Sequence, residues 1–567
     1  MSKTDISVQE LVNKVKRGEL MLPEMQRRYV WPATRVRDLF DSLYRGYPSG
    51  TILVWETDDA IQTRELAVGA TSTPSVSTKQ LLLDGQQRIT SLAAVLSGEP
   101  VNVRNRKRPI KILFNLDHPD GPPAEIMEVD EPDYPDEIEE TENEEEAERD
   151  IQEELRKRTF VVANNTLRSN PSWVAVSDVF VKKDKELLQP LGINSDDENW
   201  DKYAERLQRV RQISNYLYVM HVLEKNMSYE EVTEIFVRVN SLGIKLRGSD
   251  LALAQITSKW RGFMDVLEEF ASSIEGNEDY IIESGLAVRM LVVCATHQSR
   301  FKTVGKLSVD MLKNSWVEAK EALLFTVNFL RSNAEVDQLN LLSSPFLLIP
   351  IGVYSHLKKG EINPIEEKML LRWLYVAHMR GHYSGSAESI LDGDLSLLFK
   401  KQSLPELLEQ LILHVKTSKL DVGDVSGKSI RSPVFSMLYF VLKSQGAKDW
   451  LSGLQLSELH AGNAHKLQYH HIFPKSLLKN ANYERKEINE IANMAFIGGK
   501  TNRHILNKEP REYFEKEIIP KRGEDALTSQ LIPMEKLLWE IGNYQAFLSA
   551  RTQAITDTIN AFLENLE

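Results

Sequence analysis

The chain has 567 residues, more than one hydrophobic core usually serves, so several domains are expected. At 42% hydrophobic and 27% charged, with no run approaching the ~18 apolar residues of a membrane helix, the composition excludes collagenous, broadly disordered and membrane-spanning classes. A single cysteine, Cys294, excludes an internal disulfide framework and any zinc site built from several thiolates. The opening MSKTDISVQE has no apolar signal core, so cytoplasmic residence is expected. The net charge of -13 is concentrated: residues 125–154 hold 17 acidic side chains against one basic, Arg149, leaving +3 for the remainder. Affinity for phosphate follows local fields rather than the total, so charge neither supports nor excludes DNA.

Taken in order, Ser7 and Glu10 make a capping box ahead of Val8, Leu11, Val12 and Val15 at helical spacing, with Gly18 as the stop. A second helix carries Val36, Leu39, Phe40 and Leu43 on one face and ends near Gly46 and Pro48. TILVW (51–55) reads as a strand. A Ser/Thr-rich loop (71–78) leads to a short apolar run at 80–83, then DGQQR (84–88), then the helix ITSLAAVLSG. The acidic run 125–154 reads as a solvated insertion, expected to be part helical and part disordered. Ser228 with Glu231 caps a helix bearing Val232, Ile235, Phe236 and Val239, which closes at NSLG. From about 256 to 450 the pattern is helical almost throughout, and Cys294 within it reads as a small buried hydrophobe.

The densest chemical signal lies in the last section, 451–567. An apolar run delivers LQYHHIFPKS (467–476). Twenty-two positions beyond His471 stands Asn493 in IANMAFIGG, and nine later Asn502 in KTNRHILNK, followed by the helix-like PREYFEKEII. Strand, loop, strand, helix with His-His, Asn and Asn at those places resembles the ββα-metal, or H-N-H, nuclease motif. Phosphodiester cleavage needs a base to activate water and a divalent cation to stabilise developing charge. Adjacent strand residues point to opposite faces, so the two histidines take different jobs. By the resemblance, His470 and Asn502 are metal ligands, His471 is the general base, and Asn493 orients the base and ties the loop to the second strand. One imidazole and one amide oxygen leave water and phosphate to complete an octahedral Mg²⁺ or Mn²⁺. Lys475, Lys500, Arg503 and His504 stand ready for phosphate.

Near the other end, Asp84, Gly85, Gln86, Gln87 and Arg88 lie between a strand and a helix, where backbone N–H groups and partial positive charge favour an anion. Gly85 permits a tight turn, Arg88 suits bidentate phosphate binding and Asp84 suits a cation. Read alone, such a segment is more often a hydrogen-bonded turn with an arginine salt bridge. Gln26, Arg27, Tyr29 and Trp31 in MLPEMQRRYVW, with Arg238 and Asn240 in FVRVNSLG, add polar and stacking groups.

The ordered set LPEMQRRYVWP, DSLYRGYPSG, LLLDGQQRITSL and IFVRVNSLGIKL resembles the N-terminal domain of the GmrSD family of type IV restriction enzymes, related in fold to ParB and sulfiredoxin. HHIFP, Asn493 and NRHILN, with the late helix FLSARTQAITDTINAFL, resemble that family's nuclease domain. The resemblance implies an α+β, predominantly helical chain: a ParB-like sensor domain at 1–255, a helical connecting domain at 256–450 and an H-N-H nuclease domain at 451–567. It further implies a phage-defence enzyme that cuts or nicks modified DNA. Its N-terminal domain would bind and hydrolyse a nucleoside triphosphate through Asp84, Gly85, Gln86, Gln87 and Arg88, with Gln26 and Arg27 beside them. Many relatives carry Glu or Asp where this chain has His470, which bears on metal preference. Cutting both strands with one site per chain favours a homodimer. The other reading is a nucleotide-binding regulatory or DNA-binding module whose H-N-H domain is inactive.

Overall fold

The computed structural model describes residues 2–23, 31–57, 63–64, 79–99, 101, 109–121, 157–163, 172–242, 248–274, 282–460, 462 and 464–566. These form two compact units, Met1–Met264 and Asp265–Glu567. The acidic insertion, the Ser/Thr-rich loop, and Gln26, Arg27 and Tyr29 lie outside the described residues.

The first unit is built on β1 (Ser2–Ser7), β2 (Leu20–Pro23), β3 (Ile52–Thr57), β4 (Thr63–Arg64), β5 (Lys79–Asp84) and β9 (Leu217–Leu223), in the spatial order β1-β9-β3-β5-β2-β4. Pairing is mixed: β3 runs parallel to β9 and antiparallel to β5, and β5 runs parallel to β2. The central strands read as continuous apolar runs because both faces are covered. Ile52, Val54 and Leu82 join the core under the helices Val8–Lys16, Ala33–Arg45 and Gln86–Leu96. Leu53, Trp55, Leu81 and Leu83 turn the other way, onto the helices Tyr229–Leu242 and Gly248–Lys259. A smaller antiparallel sheet of β6 (Ile112–Asn115), β7 (Phe160–Val162) and β8 (Trp173–Ala175) has the order β7-β6-β8.

Local signals act much as the sequence indicates. Val36, Leu39, Phe40 and Leu43 are all buried, and Gly46 ends their helix in the left-handed region. Ser228 and Glu231 close a full capping box, Ser228 N to Glu231 Oε2 at 2.8 Å and Glu231 N to Ser228 Oγ at 3.2 Å. At Ser7 only half the box forms: Ser7 Oγ accepts from Glu10 N, while the Glu10 carboxylate pairs with Arg17. The strand β1, which precedes that cap, carries no alternating pattern and was not anticipated.

The second unit is helical, with long members at Ser284–Thr296, Val309–Asn333, Pro364–Met379, Pro433–Ser444 and Tyr544–Glu564. Cys294 is buried there, and burial pushes its thiol up to about 12, so it serves as a packing group. The unit's one described hairpin pairs β10 (Leu467–His471) antiparallel with β11 (Met494–Gly498). Phe496 on β11 stacks against Phe435, ring centroids 4.9 Å apart, which seats the hairpin on the helix Pro433–Ser444. Along β11, Gln530 stands in for a third strand: its amide accepts from Phe496 N and donates to Phe496 O, each at 2.8 Å. Among the described residues, no helix is long and apolar enough to cross a membrane.

Candidate metal and phosphodiester site

The helix that follows β11 begins at once, at Gly499, and runs to Ile505, so Asn502 sits at its middle rather than in a loop before the helix at Pro510. Asp449 holds the strand-to-helix junction. Its Oδ2 accepts from Gly498 N at 2.7 Å, and its Oδ1 accepts from Thr501 Oγ1 at 2.8 Å and from Ser452 N at 2.6 Å. With that junction fixed, the helix lies across the hairpin and Asn502 reaches β10.

There Asn502 meets His470: Asn502 Oδ1 and His470 Nδ1 are 2.7 Å apart. The other end of the Asn502 amide is engaged too, its Nδ2 donating to Gln468 Oε1 at 2.8 Å. Gln468 and His470 are two apart on the same strand and share a face, so both address the same helix residue. His470 is buried, with Trp450 and Tyr513 edge-on to its ring, and its Nε2 is buried with no hydrogen-bond partner. Burial pushes its pKa down to about 4, so the ring is neutral near pH 7 and able to ligate. No group of three or more His, Cys, Asp or Glu suited to a metal occurs among the described residues. Asn502 Oδ1 only accepts, so Nδ1 carries the hydrogen in this pair; in the other tautomer the two lone-pair atoms, 2.7 Å apart, fit the ~3.0 Å edge of an octahedral Mg²⁺ shell. Ligation through Nδ1 would place the ring hydrogen on Nε2, which is buried with no competing partner.

His471 faces the other way, as strand alternation requires. Its Nε2 lies 3.0 Å from Asn489 Oδ1. Burial, and then the nearby Lys475 ammonium, push its pKa down to about 3, so it too is neutral near pH 7. Asn493 is fully buried and makes three hydrogen bonds to backbone. Its Oδ1 accepts from Phe473 N at 2.8 Å, and its Nδ2 donates to Phe473 O at 3.1 Å and Ile488 O at 3.0 Å. It therefore ties the loop after β10 to the entry of β11. The amide that meets His471 belongs to Asn489 instead, because Asn493 has its whole side chain engaged by the loop. Lys500, Arg503 and His504 are exposed and Lys475 is half-buried; His504 Nε2 is held by Glu517 Oε2 at 2.6 Å.

Asn489, Gln468, Asp449 and Arg551 were not singled out from the sequence. Gln468 was findable from its two-residue offset to His470. Arg551 resembles a surface cation in an amphipathic helix, yet it is fully buried. Its Nη1 donates to Ala492 O at 2.9 Å and Met494 O at 2.6 Å, and its Nη2 to Gln530 O at 3.0 Å. It grips the backbone on both sides of Asn493.

In the first unit, Gly85 adopts φ +97 at the N-cap of Gln86–Leu96, and a Cβ there would stand 2.5 Å from Ile52 Cδ1. Gln87 Oε1 accepts from Trp31 N at 3.1 Å, and Gln86 is buried. Arg88 is bound inward. Its Nη1 donates to Ser49 O, and its Nη2 to Thr51 O at 2.7 Å and to Asp84 Oδ2 at 3.2 Å. The arginine braces the loop 49–51, as the turn-and-salt-bridge reading of DGQQR has it, and Asp84 is its ion-pair partner. Arg238 is exposed and pairs with Glu234 one helical turn away.

Residues 8–257 match the model of the GmrSD restriction endonuclease N-terminal domain. The match covers the first unit almost entirely and none of the hairpin and helix that carry His470, His471, Asn493 and Asn502. Across nearly the whole chain there is also similarity to an uncharacterized protein of Methanocaldococcus jannaschii, 23% identical over 552 residues, which covers 90% of this chain and 86% of that protein. The N-terminal resemblance read from the four ordered motifs thus has independent support over residues 8–257.

Proposed function

We propose that the chain is a metal-dependent DNA endonuclease of the modification-dependent restriction type, with its cutting site at the β10–β11 hairpin and the helix Gly499–Ile505. The observation that carries the reading is the meeting of His470 and Asn502 on one face of β10 while the neutral His471 occupies the other. His470 and Asn502 would hold Mg²⁺ or Mn²⁺, which supplies charge stabilisation at the phosphate and the leaving oxygen. His471 takes the proton of the attacking water. A base with a pKa near 3 is weak, but the anionic phosphodiester it faces raises its proton affinity toward a useful range. Asn493 holds the loop so that the two histidines keep their separate directions. Lys475 beside His471, with Lys500 and Arg503, supplies positive charge for the DNA backbone.

The first unit is proposed to gate the cut by sensing modified phage DNA and by binding and hydrolysing a nucleoside triphosphate at the Asp84–Gly85 turn. Supporting this are the match of residues 8–257 and the left-handed glycine at a helix N-terminus. With Arg88 turned to the loop 49–51, the nucleotide reading rests on Asp84, Gly85, Gln86 and Gln87, of which Asp84 also pairs with Arg88 and Gln87 also accepts from Trp31 N. Asp84→Ala is expected to lower triphosphate hydrolysis at least tenfold while leaving Mn²⁺ binding at the second unit unchanged; normal turnover would remove the nucleotide site from this turn. The nuclease assignment is tested by His471→Ala, which abolishes cleavage of modified DNA in Mg²⁺ or Mn²⁺ and leaves triphosphate hydrolysis intact. Loss of both activities in a folded variant would refute the division of labour.

A further inference from the structure

We infer that Asn489 is a positioning residue that fixes the tautomer of His471, leaving Nδ1 as the ring atom that accepts the proton. The part played by that atom in cleavage rests on the nuclease reading; the tautomer itself does not.

The argument is one of donor and acceptor identity. Asn489 Nδ2 lies 2.9 Å from Arg485 O. A carbonyl only accepts, so the amide must present its NH₂ end there and its oxygen to His471. That oxygen, 3.0 Å from His471 Nε2, also only accepts, so Nε2 carries the hydrogen. A neutral imidazole has one N–H, and Nδ1 is therefore the basic nitrogen.

The segment around Asn489 is anchored on both sides. Asn489 ends the short helix Arg485–Ile488. Before it, Ile488 O accepts from Asn493 Nδ2 at 3.0 Å. After it, Glu490 Oε2 accepts from Gly427 N at 3.0 Å and Ile491 N donates to Lys428 O at 2.8 Å. Backbone held this firmly sets where the amide points, and the amide in turn sets the ring. Partners behind metal-ligating imidazoles give the same kind of support, and losing them costs about 10–100-fold.

The test uses the full-length protein labelled with ¹⁵N-histidine, with His471→Ala identifying the His471 signals. The nitrogen coupled to both carbon-bound ring protons is Nε2, and in the wild-type protein it is expected to carry the hydrogen. Asn489→Leu should shift this population toward a mixture of tautomers and lower kcat about 10–100-fold with KM unchanged. Asn489→Asp keeps an oxygen acceptor for Nε2–H and should retain both the tautomer and most of kcat. An Nδ1–H tautomer in the wild-type protein, or a folded Asn489→Leu variant with unchanged tautomer and kcat, would overturn the inference. A wild-type protein with the Nε2–H tautomer that cuts no DNA would sink the nuclease reading and leave the tautomer assignment standing.

Discussion

Gly50 and Arg88 illustrate how single side chains set the first unit's candidate site. Gly50 has φ +94, and a Cβ on it would fall 1.9 Å from Arg88 Nη1. No other residue lets the loop 49–51 come close enough for Ser49 O and Thr51 O to accept from the guanidinium. Ser49 also fastens that loop to the sheet through Tyr218 OH, 2.7 Å from Ser49 Oγ. Gly50→Ala carries two penalties, a left-handed backbone with a Cβ and displacement of a three-acceptor arginine. It should destabilise the first unit by ~1–3 kcal/mol, read as a lower urea midpoint for that unit. An unchanged midpoint would mean that Arg88 does not brace this loop. Gly50 lies in DSLYRGYPSG, which the sequence flagged as a motif without supplying its purpose, since the partner is 38 positions away.

Among elements, the hairpin and its following helix depend on supports that are distant in sequence. Arg551 comes from Tyr544–Glu564 and grips Ala492 O, Met494 O and Gln530 O. Burial lowers its pKa to about 9, which still leaves it charged at neutral pH. Arg551→Ala strands three buried carbonyls and opens a cavity, and should cost more than about 3 kcal/mol. Chemical denaturation of the second unit checks this, and a loss below ~1 kcal/mol would contradict the clamp. Asp449, 49 residues before Gly498, acts in the same way at the other end of β11. This distance explains what was legible. The strands at 51–55, 80–83, 467–471 and 494–498, the order His470, His471, Asn493, Asn502, and the apolar helix faces are local patterns. Asn489, Asp449 and Arg551 are hidden because their partners are backbone atoms, which leave no mark on composition or spacing. The helix start at Gly499 was missed for a related reason: its cap is the side chain network of Asp449 rather than a capping residue of its own.

For the molecule as a whole, buried neutral histidines give stability a defined pH dependence. His378 is fully buried, with Nδ1 accepting from Ser343 N at 2.9 Å and Nε2 donating to Ser436 Oγ, 3.1 Å away. Burial pushes its pKa down to about 4, against about 6.5 in an unfolded chain. Between these values the unfolded chain binds more protons, so stability is complete above pH 6.5 and declines as the pH falls toward 4. His378 alone accounts for about 2 kcal/mol by pH 5. The urea midpoint of the second unit should fall between pH 7 and pH 5, and His378→Gln should flatten that fall. A midpoint that rises on acidification would contradict the sign.

The chain places an N-terminal unit similar to that of GmrSD restriction endonucleases ahead of a second unit that brings two histidines and two asparagines to one hairpin and its helix. The central claim is that this hairpin cuts DNA. It is tested most directly by incubating the protein with modified phage genomic DNA and with unmodified plasmid, in Mg²⁺ or Mn²⁺, with and without a nucleoside triphosphate, beside His471→Ala. The account predicts cutting of the modified DNA alone, dependence on the metal and the nucleotide, and no cutting by the variant. Triphosphate hydrolysis with no cutting of either DNA in either metal would contradict it, and would leave a nucleotide-binding regulatory module in its place.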